Sequence, residues 1–268
     1  MIQSRTARWS LRTLALAYLF ALVAVPVGMI LFRTFSPGLP VFWDWITTPA
    51  AIAALNLSLL IVAIVVPLNV VFGVVTAMLL ARGDFPGRKV LQSLVDLPFS
   101  VSPVVVGVAL ITLWGAGGWF VGIEGLGFKV IFALPGMVLA TIFVTMPFVV
   151  REVEPVLHEI GTEAEEAAAT LGATGWQTFW RITLPAIRWG LTYGVILTIA
   201  RSLGEFGAVL MVSSGFPGVS QTLTLLVHGR YIDDHNTYGA YAAATLLMVL
   251  AVLALLLMTV LDRLRRNA

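Results

Sequence analysis

Long stretches of apolar, almost charge-free sequence recur six times along this chain and leave few folds open to it. A helix needs about 20 apolar residues to cross the hydrocarbon of a bilayer, and only helices or closed barrels satisfy their backbone there. Barrel strands would be alternating segments of about 10 residues, whereas these stretches are longer and uniformly apolar. We predict six transmembrane helices at residues 14–32, 57–81, 97–114, 130–150, 190–213 and 238–261.

The composition also indicates a lipid environment. The 268-residue chain is 59% hydrophobic and only 11% charged, whereas soluble domains average about 45–50% apolar and about 25% charged residues. Too few polar side chains remain to cover a water-exposed surface. We therefore predict an all-α, polytopic membrane protein with a single transmembrane domain over residues 1–268.

Several other classes of site and partner are not expected. The chain has no cysteine, and His158, His228 and His235 lack metal-ligand spacing, so neither a disulfide nor a metal site is predicted. The net charge of +2 is small and is not clustered in one segment, so nucleic acid is not an expected partner.

The distribution of Lys and Arg predicts the orientation in the membrane. If the N-terminus faces the cytoplasm, twelve of the sixteen lie in segments on that side, three (Arg33, Lys129 and Arg230) lie outside, and Arg201 lies within the fifth span. The twelve are Arg5, Arg8, Arg12, Arg82, Arg88, Lys89, Arg151, Arg181, Arg188, Arg263, Arg265 and Arg266. Because cytoplasmic loops are normally the positively charged ones, we predict two cytoplasmic termini and a multi-pass protein of the cell (inner) membrane.

The longest hydrophilic segment, residues 151–189, is predicted to be a cytoplasmic loop that contains a short helix. Thr162 followed by Glu165 fits a capping box, and the acidic residues near this start favour the positive end of a helix dipole. Gly172 can adopt the positive φ that often ends a helix. The predicted helix runs from Glu163 to Leu171. It presents a smooth stripe of small side chains, formed by Ala164, Ala167, Ala168 and Leu171.

A second capping box, Thr174 with Gln177, predicts another helix in the same segment. Its aromatic residues suit a position along the membrane face, and Pro185 follows it. Taken from the residues alone, the two helices are equally consistent with an amphipathic surface pair that binds no partner.

This segment closely resembles the EAA loop of ABC-importer permeases. The matching residues are Glu166-Ala167-Ala168, Gly172, Ile182 and Leu184-Pro185. Segments 55–58, 96–107 and 201–208 are similar to the sulfate/molybdate branch of these permeases. The fit is closest to the W-type membrane subunit of sulfate/thiosulfate importers.

The resemblance implies a permease subunit of an ATP-driven importer for sulfate or thiosulfate, which is not itself an enzyme and has no catalytic residues. Implied partners are a second permease subunit in a heterodimer, two copies of an ATP-binding subunit, an external solute-binding protein and membrane lipid. The residues implied to couple the chain to the ATPase are Glu163, Glu166, Ala167, Ala168, Leu171 and Gly172. The sequence contains no G-x-x-x-x-G-K-[ST] loop. ATP and Mg are therefore expected on the partner ATPase, with no cofactor bound by this chain.

Five polar residues are candidates for the transport pathway. Arg201 and Glu205 fall inside the predicted fifth span, where each charge costs about 2.5–3.5 kcal/mol at mid-depth, and their i, i+4 spacing lets them pair. They form either a structural ion pair or part of the pathway. Asp96, Ser100 and Ser102 lie at the start of the third span. They suit interfacial and helix-packing roles, or an oxyanion pathway.

Three alternative functions remain open from the sequence. The first keeps the class and changes the cargo to molybdate or tungstate. The second is an ATP-independent secondary transporter or channel, which would need no nucleotide. The third is a structural membrane anchor with no flux. The capped, alanine-rich helix after Thr162 favours the ATP-driven importer over the last two.

Overall fold

The computed structural model describes residues 5–124, 127 and 129–267 and is built from helices, with no β-strand among these residues. The α-helices are α1 Arg5–Leu19, α2 Val25–Phe35, α3 Leu39–Ile46, α4 Pro49–Arg82, α5 Arg88–Ser100, α6 Pro103–Trp114, α7 Val121–Glu124, α8 Leu134–Ile160, α9 Glu163–Thr170, α10 Gly175–Thr178, α11 Leu184–Leu203, α12 Gly207–Val212, α13 Leu223–His228 and α14 Thr237–Asn267. Short π-helical turns, Phe20–Ala24, Phe179–Thr183 and Gly229–Asp233, follow α1, α10 and α13.

Five helical stretches in the described part of the chain are long and apolar enough to cross a bilayer, which confirms the predicted all-α, polytopic fold. These stretches are Arg8–Phe35, Pro49–Arg82, Leu134–Ile160, Gly175–Leu203 and Thr237–Val260. The first joins α1 to α2 through a π-helical turn, and the fourth joins α10 to α11 in the same way.

The predicted third span, 97–114, is not one continuous helix. It is divided between α5 and α6, whose axes differ in direction by 113°. Pro103 has no N–H to donate and disfavours helical geometry at the residue before it, and Val101 and Ser102 are accordingly extended. Arg82 at the end of α4 donates to the carbonyl of Leu157 near the end of α8. Since α4 and α8 end together, the chain must cross between them, and α5 with α6 makes this sixth crossing.

The predicted fifth span, 190–213, also differs from the structure. Its helix begins earlier and ends at Leu203, and Gly204, Glu205 and Phe206 separate it from α12. Glycine is the poorest helix former after proline, and Gly204 occupies the C-cap position. The helix of the predicted fourth span, α8, continues to Ile160. Residues 151–160 are therefore helical and do not belong to the predicted loop.

Glycines allow close packing around α8, the central helix. A Cβ atom on Gly73 of α4 would lie 2.7 Å from Val149 Cβ. On α11, a Cβ on Gly190 would lie 2.5 Å from the carbonyl oxygen of Glu152, and one on Gly194 would lie 3.0 Å from Val149 Cα. Small residues four apart let membrane helices approach this closely. The backbones of α4 and α11 therefore pack directly on α8.

Hydrogen bonds from Arg230 stabilise the end of the bundle that lies opposite to α9. Its side chain is buried and donates to the carbonyl oxygens of Trp45 and Gly239 and to the hydroxyl of Thr48. Burial lowers the pKa of Arg230 from its ordinary value, and the charge of Asp234 partly offsets this effect. These contacts join the start of α4 to the start of α14.

Candidate functional site

The predicted helix in the hydrophilic segment is confirmed as α9, which ends one residue early at Thr170. Gly172 has φ +85°. Its N–H bonds to the carbonyl of Ala169 at 3.0 Å, and the N–H of Ala173 bonds to the carbonyl of Ala168 at 3.0 Å. These two bonds are those of a Schellman motif. The positive φ at Gly172 therefore fixes where α9 stops and how the chain leaves it.

Most of the residues expected to couple to an ATPase are exposed on α9. The side chains of Glu163, Glu166, Ala167 and Leu171 are exposed, with Leu171 at 88%, whereas Ala168 is half-buried. No residue of α9 is fully buried. The helix therefore offers a free surface of small, acidic and aliphatic groups.

The predicted capping box at Thr162 and Glu165 is wrong. The hydroxyl of Thr162 bonds to Glu166 Oε1 at 2.6 Å and makes no side-chain cap with the helix backbone. Glu165 instead accepts from Arg82 and from Thr183. A hydrogen bond to a charged guanidinium is about twice as strong as a neutral one. The carboxylate of Glu165 therefore binds Arg82 and not the backbone N–H of Thr162, which the capping box would require.

Arg82 and Glu165 join four elements at this end of the bundle. Arg82 Nε lies 3.2 Å from Glu165 Oε2, with 18% and 21% of the two side chains exposed. Arg82 also donates to the carbonyls of Leu157, at 2.8 Å, and Gly161. The hydroxyl of Thr183 donates to Glu165 Oε1 at 2.8 Å. Together these bonds connect α4, the end of α8, α9 and the π-helical turn before α11. None of these bonds was predicted from the sequence.

The second predicted capping box is confirmed. Thr174 Oγ1 accepts from the N–H of Gln177 at 3.4 Å, and Gln177 Oε1 accepts from the N–H of Thr174 at 2.9 Å. The aromatic residues that follow pack on one another, with ring centroids of Trp176 and Trp180 5.5 Å apart. Both rings remain at least half exposed, as side chains at a membrane interface would be.

Arg201 and Glu205 form the ion pair that their spacing predicts. Arg201 Nη1 lies 2.7 Å from Glu205 Oε2, and the side chain of Glu205 is buried while that of Arg201 is 33% exposed. The other carboxylate oxygen of Glu205 accepts from the N–H of Ala208 at 2.9 Å, and its carbonyl accepts from Thr224 Oγ1 at 2.7 Å. Glu205 lies in the break after α11, so it links α11, α12 and α13.

A small polar cavity adjoins this break. It is lined in part by Ser58, Thr141, Ser202, Glu205 and Thr222 and has a volume of about 10 Å³. A single water needs about 10–15 Å³ by this measure. Ser202 Oγ has no hydrogen-bond partner among the described residues. In this conformation the cavity is too small for a tetrahedral oxyanion.

Asp96 lies within α5, where the structure pairs it with Arg151 of α8. Arg151 Nη2 lies 2.7 Å from Asp96 Oδ1, and the same guanidinium sits 4.3 Å from the ring centroid of Phe99. The expected position of Asp96 at a helix N-terminus is therefore wrong, because α5 begins at Arg88.

Ser100 and Ser102 flank the bend between α5 and α6, and both are exposed. This bend lies beside the break after α11, since a Cβ atom on Gly207 would be 3.2 Å from Pro103 Cβ. Irregular backbone at membrane depth occurs only where it is buried in protein or lines a water-filled cavity. The fold thus brings two interrupted helices, and with them the serines and the Arg201–Glu205 pair, into one region.

No group of three or more His, Cys, Asp or Glu side chains that could hold a metal ion occurs among the described residues.

Comparison with known proteins identifies the family to which this fold belongs. The family model for the binding-protein-dependent transport system inner membrane component matches residues 69–267. The chain is 46% identical over 257 residues to the sulfate transport system permease protein CysW of Synechocystis sp., which covers 96% of this chain and 93% of the relative. It is 34% identical over 267 residues to CysT of the same organism, covering 98% and 90%.

A solved structure gives the same fold. The crystal structure of a bacterial ABC transporter involved in the import of the acidic polysaccharide alginate matches with a TM-score of 0.77 at 18% identity, over 97% of this chain and 94% of that one. The interrupted helices, the exposed α9 and these similarities agree. The chain belongs to the family of binding-protein-dependent transport system inner membrane components.

Proposed function

We propose that the chain is a membrane-spanning permease subunit of an ATP-driven ABC importer that carries sulfate. The observation that carries this proposal is the likeness, over nearly the whole chain, to a relative named as a sulfate transport permease. The capped and exposed α9 supports the ATP-driven class, because a channel or a membrane anchor would not need such an element.

The relatives are permease subunits and not enzymes, and ATP with Mg is bound and hydrolysed by a separate ATPase subunit. Two copies of that subunit serve the importer, and one docks on α9. Its docking surface on this chain comprises Glu163, Glu166, Ala167, Ala168, Leu171 and Gly172. The exposure of most of these groups supports this role.

The second permease subunit is a different chain of the T type. The Synechocystis W-type and T-type proteins both resemble this chain, but the W type does so more closely, at 46% against 34% identity. The described side chains of α1 between Arg8 and Leu19 are all exposed, so they face lipid or the partner permease. An external solute-binding protein delivers the anion, in keeping with the description of the family.

The sulfate pathway passes the region where the two interrupted helices meet. Arg201, which is partly exposed there, offsets the charge of a passing dianion, and Glu205 neutralises Arg201 between passages so that the anion is not trapped. The adjoining cavity within this chain is too small to hold an oxyanion. The chain lies in the cell (inner) membrane, and its excess of Lys and Arg in alternate loops supports cytoplasmic termini.

The test is uptake of radiolabelled sulfate by proteoliposomes that contain both permeases and the ATPases, with the binding protein outside and ATP inside. We expect uptake that requires ATP, is inhibited by excess sulfate or thiosulfate, and is inhibited much less by molybdate. Preferential competition by molybdate would support the molybdate importer instead. Uptake without nucleotide would support a secondary transporter or channel, and no flux would support an anchor.

A further inference from the structure

We propose that Arg82 and Glu165 form a rigid joint that passes movement of α9 to the membrane-spanning helices. Both are positioning residues: they act through α9 and do not touch the ATPase or the anion. The inference rests on the proposed function, in which α9 receives the movement of an ATPase.

Little else holds α9 in place. None of its residues is fully buried, so hydrophobic burial can fix its orientation only weakly. The carboxylate of Glu165 points into the bundle, whereas Glu163 and Glu166 of the same turn are exposed. A partly shielded, charge-assisted pair with several hydrogen bonds has a well-defined geometry.

Arg82 lies where the ends of α4 and α8 meet. It is the last residue of α4, a helix of 34 residues that is about 50 Å long at the usual rise per residue. The same guanidinium bonds two carbonyls at the end of α8, Leu157 and Gly161, which have no intrahelical partners in a helix's last turn. A displacement of Glu165 must therefore move α4 and α8 together.

Glu165 is also linked to the start of α11. Thr183, a buried residue of the π-helical turn before α11, donates its hydroxyl to Glu165 Oε1. One carboxylate thereby contacts both α4 and the turn that precedes α11, the helix that carries Arg201 in its last turn next to the interrupted region. Movement of α9 can reach that region along both α4 and α11.

The test compares Glu165→Ala with the matched control Glu159→Gln, which changes an exposed glutamate at the nearby end of α8. The reconstituted importer is assayed for sulfate transported and ATP hydrolysed, and for the amount of ATPase that copurifies. In Glu165→Ala we expect copurification and ATP hydrolysis to persist while sulfate moved per ATP falls about 3- to 30-fold, the range of coupling effects in such networks. Glu159→Gln should match the wild type. An unchanged ratio in Glu165→Ala, or a loss of ATPase binding as large as the loss of transport, would overturn the inference.

A second measurement needs no cargo and so separates this inference from the proposed function. The chain has no cysteine, so spin labels can be placed at the exposed positions Leu79 of α4 and Ala169 of α9. We expect a narrow distance distribution that ATP leaves unchanged in the otherwise native chain, and a broad distribution in Glu165→Ala. A distance that shifts with ATP while Glu165 is present, or that stays narrow without it, would mean that the joint is not rigid. Failure of sulfate uptake by the wild-type importer would instead count against the proposed function alone.

Discussion

The guanidinium of Arg201 lies 2.7 Å from the carboxylate of Glu205 although α11 ends between them, at Leu203. The pair therefore bridges a break in the helix instead of lying along its face. Glu205 also binds the N–H of Ala208 and the hydroxyl of Thr224. A pair built in this way could fix the break, line the pathway, or do both.

Arg201→Gln should abolish most sulfate uptake while the ATPase still copurifies, because the positive charge at the interrupted region is lost. It also leaves Glu205 buried without its cation, which we expect to lower the free energy of unfolding by about 3–5 kcal/mol. Uptake, copurification and thermal unfolding of the purified complex measure the three effects.

The double variant Arg201→Gln/Glu205→Gln separates the two roles, because it removes both charges and leaves no buried unpaired ion. We expect its stability to return towards that of the wild type while uptake remains low. Near-normal uptake in the double variant would mean that the pair is only structural.

Glu166→Arg should weaken the association with the ATPase. Glu166 is exposed in the first turn of α9, where its negative charge suits the positive end of the helix dipole. Reversing that charge should weaken the affinity about tenfold, which corresponds to about 1.4 kcal/mol. Titration of labelled ATPase against permease in nanodiscs measures the affinity, with Glu159→Arg as the control on α8. Equal affinities for both variants would contradict the docking role of Glu166.

Gly190→Ala should destabilise the bundle. The added Cβ would meet the carbonyl oxygen of Glu152 at 2.5 Å, and overpacking of this kind costs about 1–3 kcal/mol. Gly28→Ala is the matched control, because no atom lies within 4 Å of a Cβ at that helical glycine. Thermal unfolding in detergent should show a lower midpoint for Gly190→Ala alone; a similar midpoint for both would mean that α11 can move away from α8 without cost.

Arg230→Met should loosen the end of the bundle opposite α9. The carbonyl of Gly239 and the hydroxyl of Thr48 would each lose the guanidinium donor, and the carbonyl of Trp45 would keep only the bond from Thr48 Oγ1. A hydrogen bond to a charged group contributes about 1.5–3 kcal/mol. Hydrogen exchange of residues 45–48 and 237–240 should become faster. Arg33→Met, which changes an exposed arginine of α2, should leave exchange in these segments as it is in the wild type.

The crossings could be predicted from the sequence because lipid imposes a minimum apolar length that few other structures satisfy. The places where helices break could not, since apolar residues resume beyond both breaks and continue to Trp114 and Val212. Pro103 and Gly204 signalled these positions, but the same residues also occur within continuous membrane helices. Gly190 and Gly194 are spaced four apart, a pattern that indicates close helix packing and is visible in the sequence.

The role of Glu165 shows a different limit. Its spacing from Thr162 fits a local capping box, yet its partner Arg82 is 83 residues away in the chain. A single sequence carries no information about which of several cationic side chains a carboxylate will meet. The Thr174–Gln177 box, by contrast, formed as the local rule predicts.

The bend before Pro103 affects how much a change of conformation would cost. Val101 and Ser102 are already extended, and Pro103 has no N–H to release. Rotation of α6 about this point therefore breaks none of the backbone hydrogen bonds within α6. The energy barrier to this rotation would arise from the side chains that must move past one another where Gly107 meets Met211. Substitutions at that contact should therefore change the rate of the conformational change more than the stability of either end state.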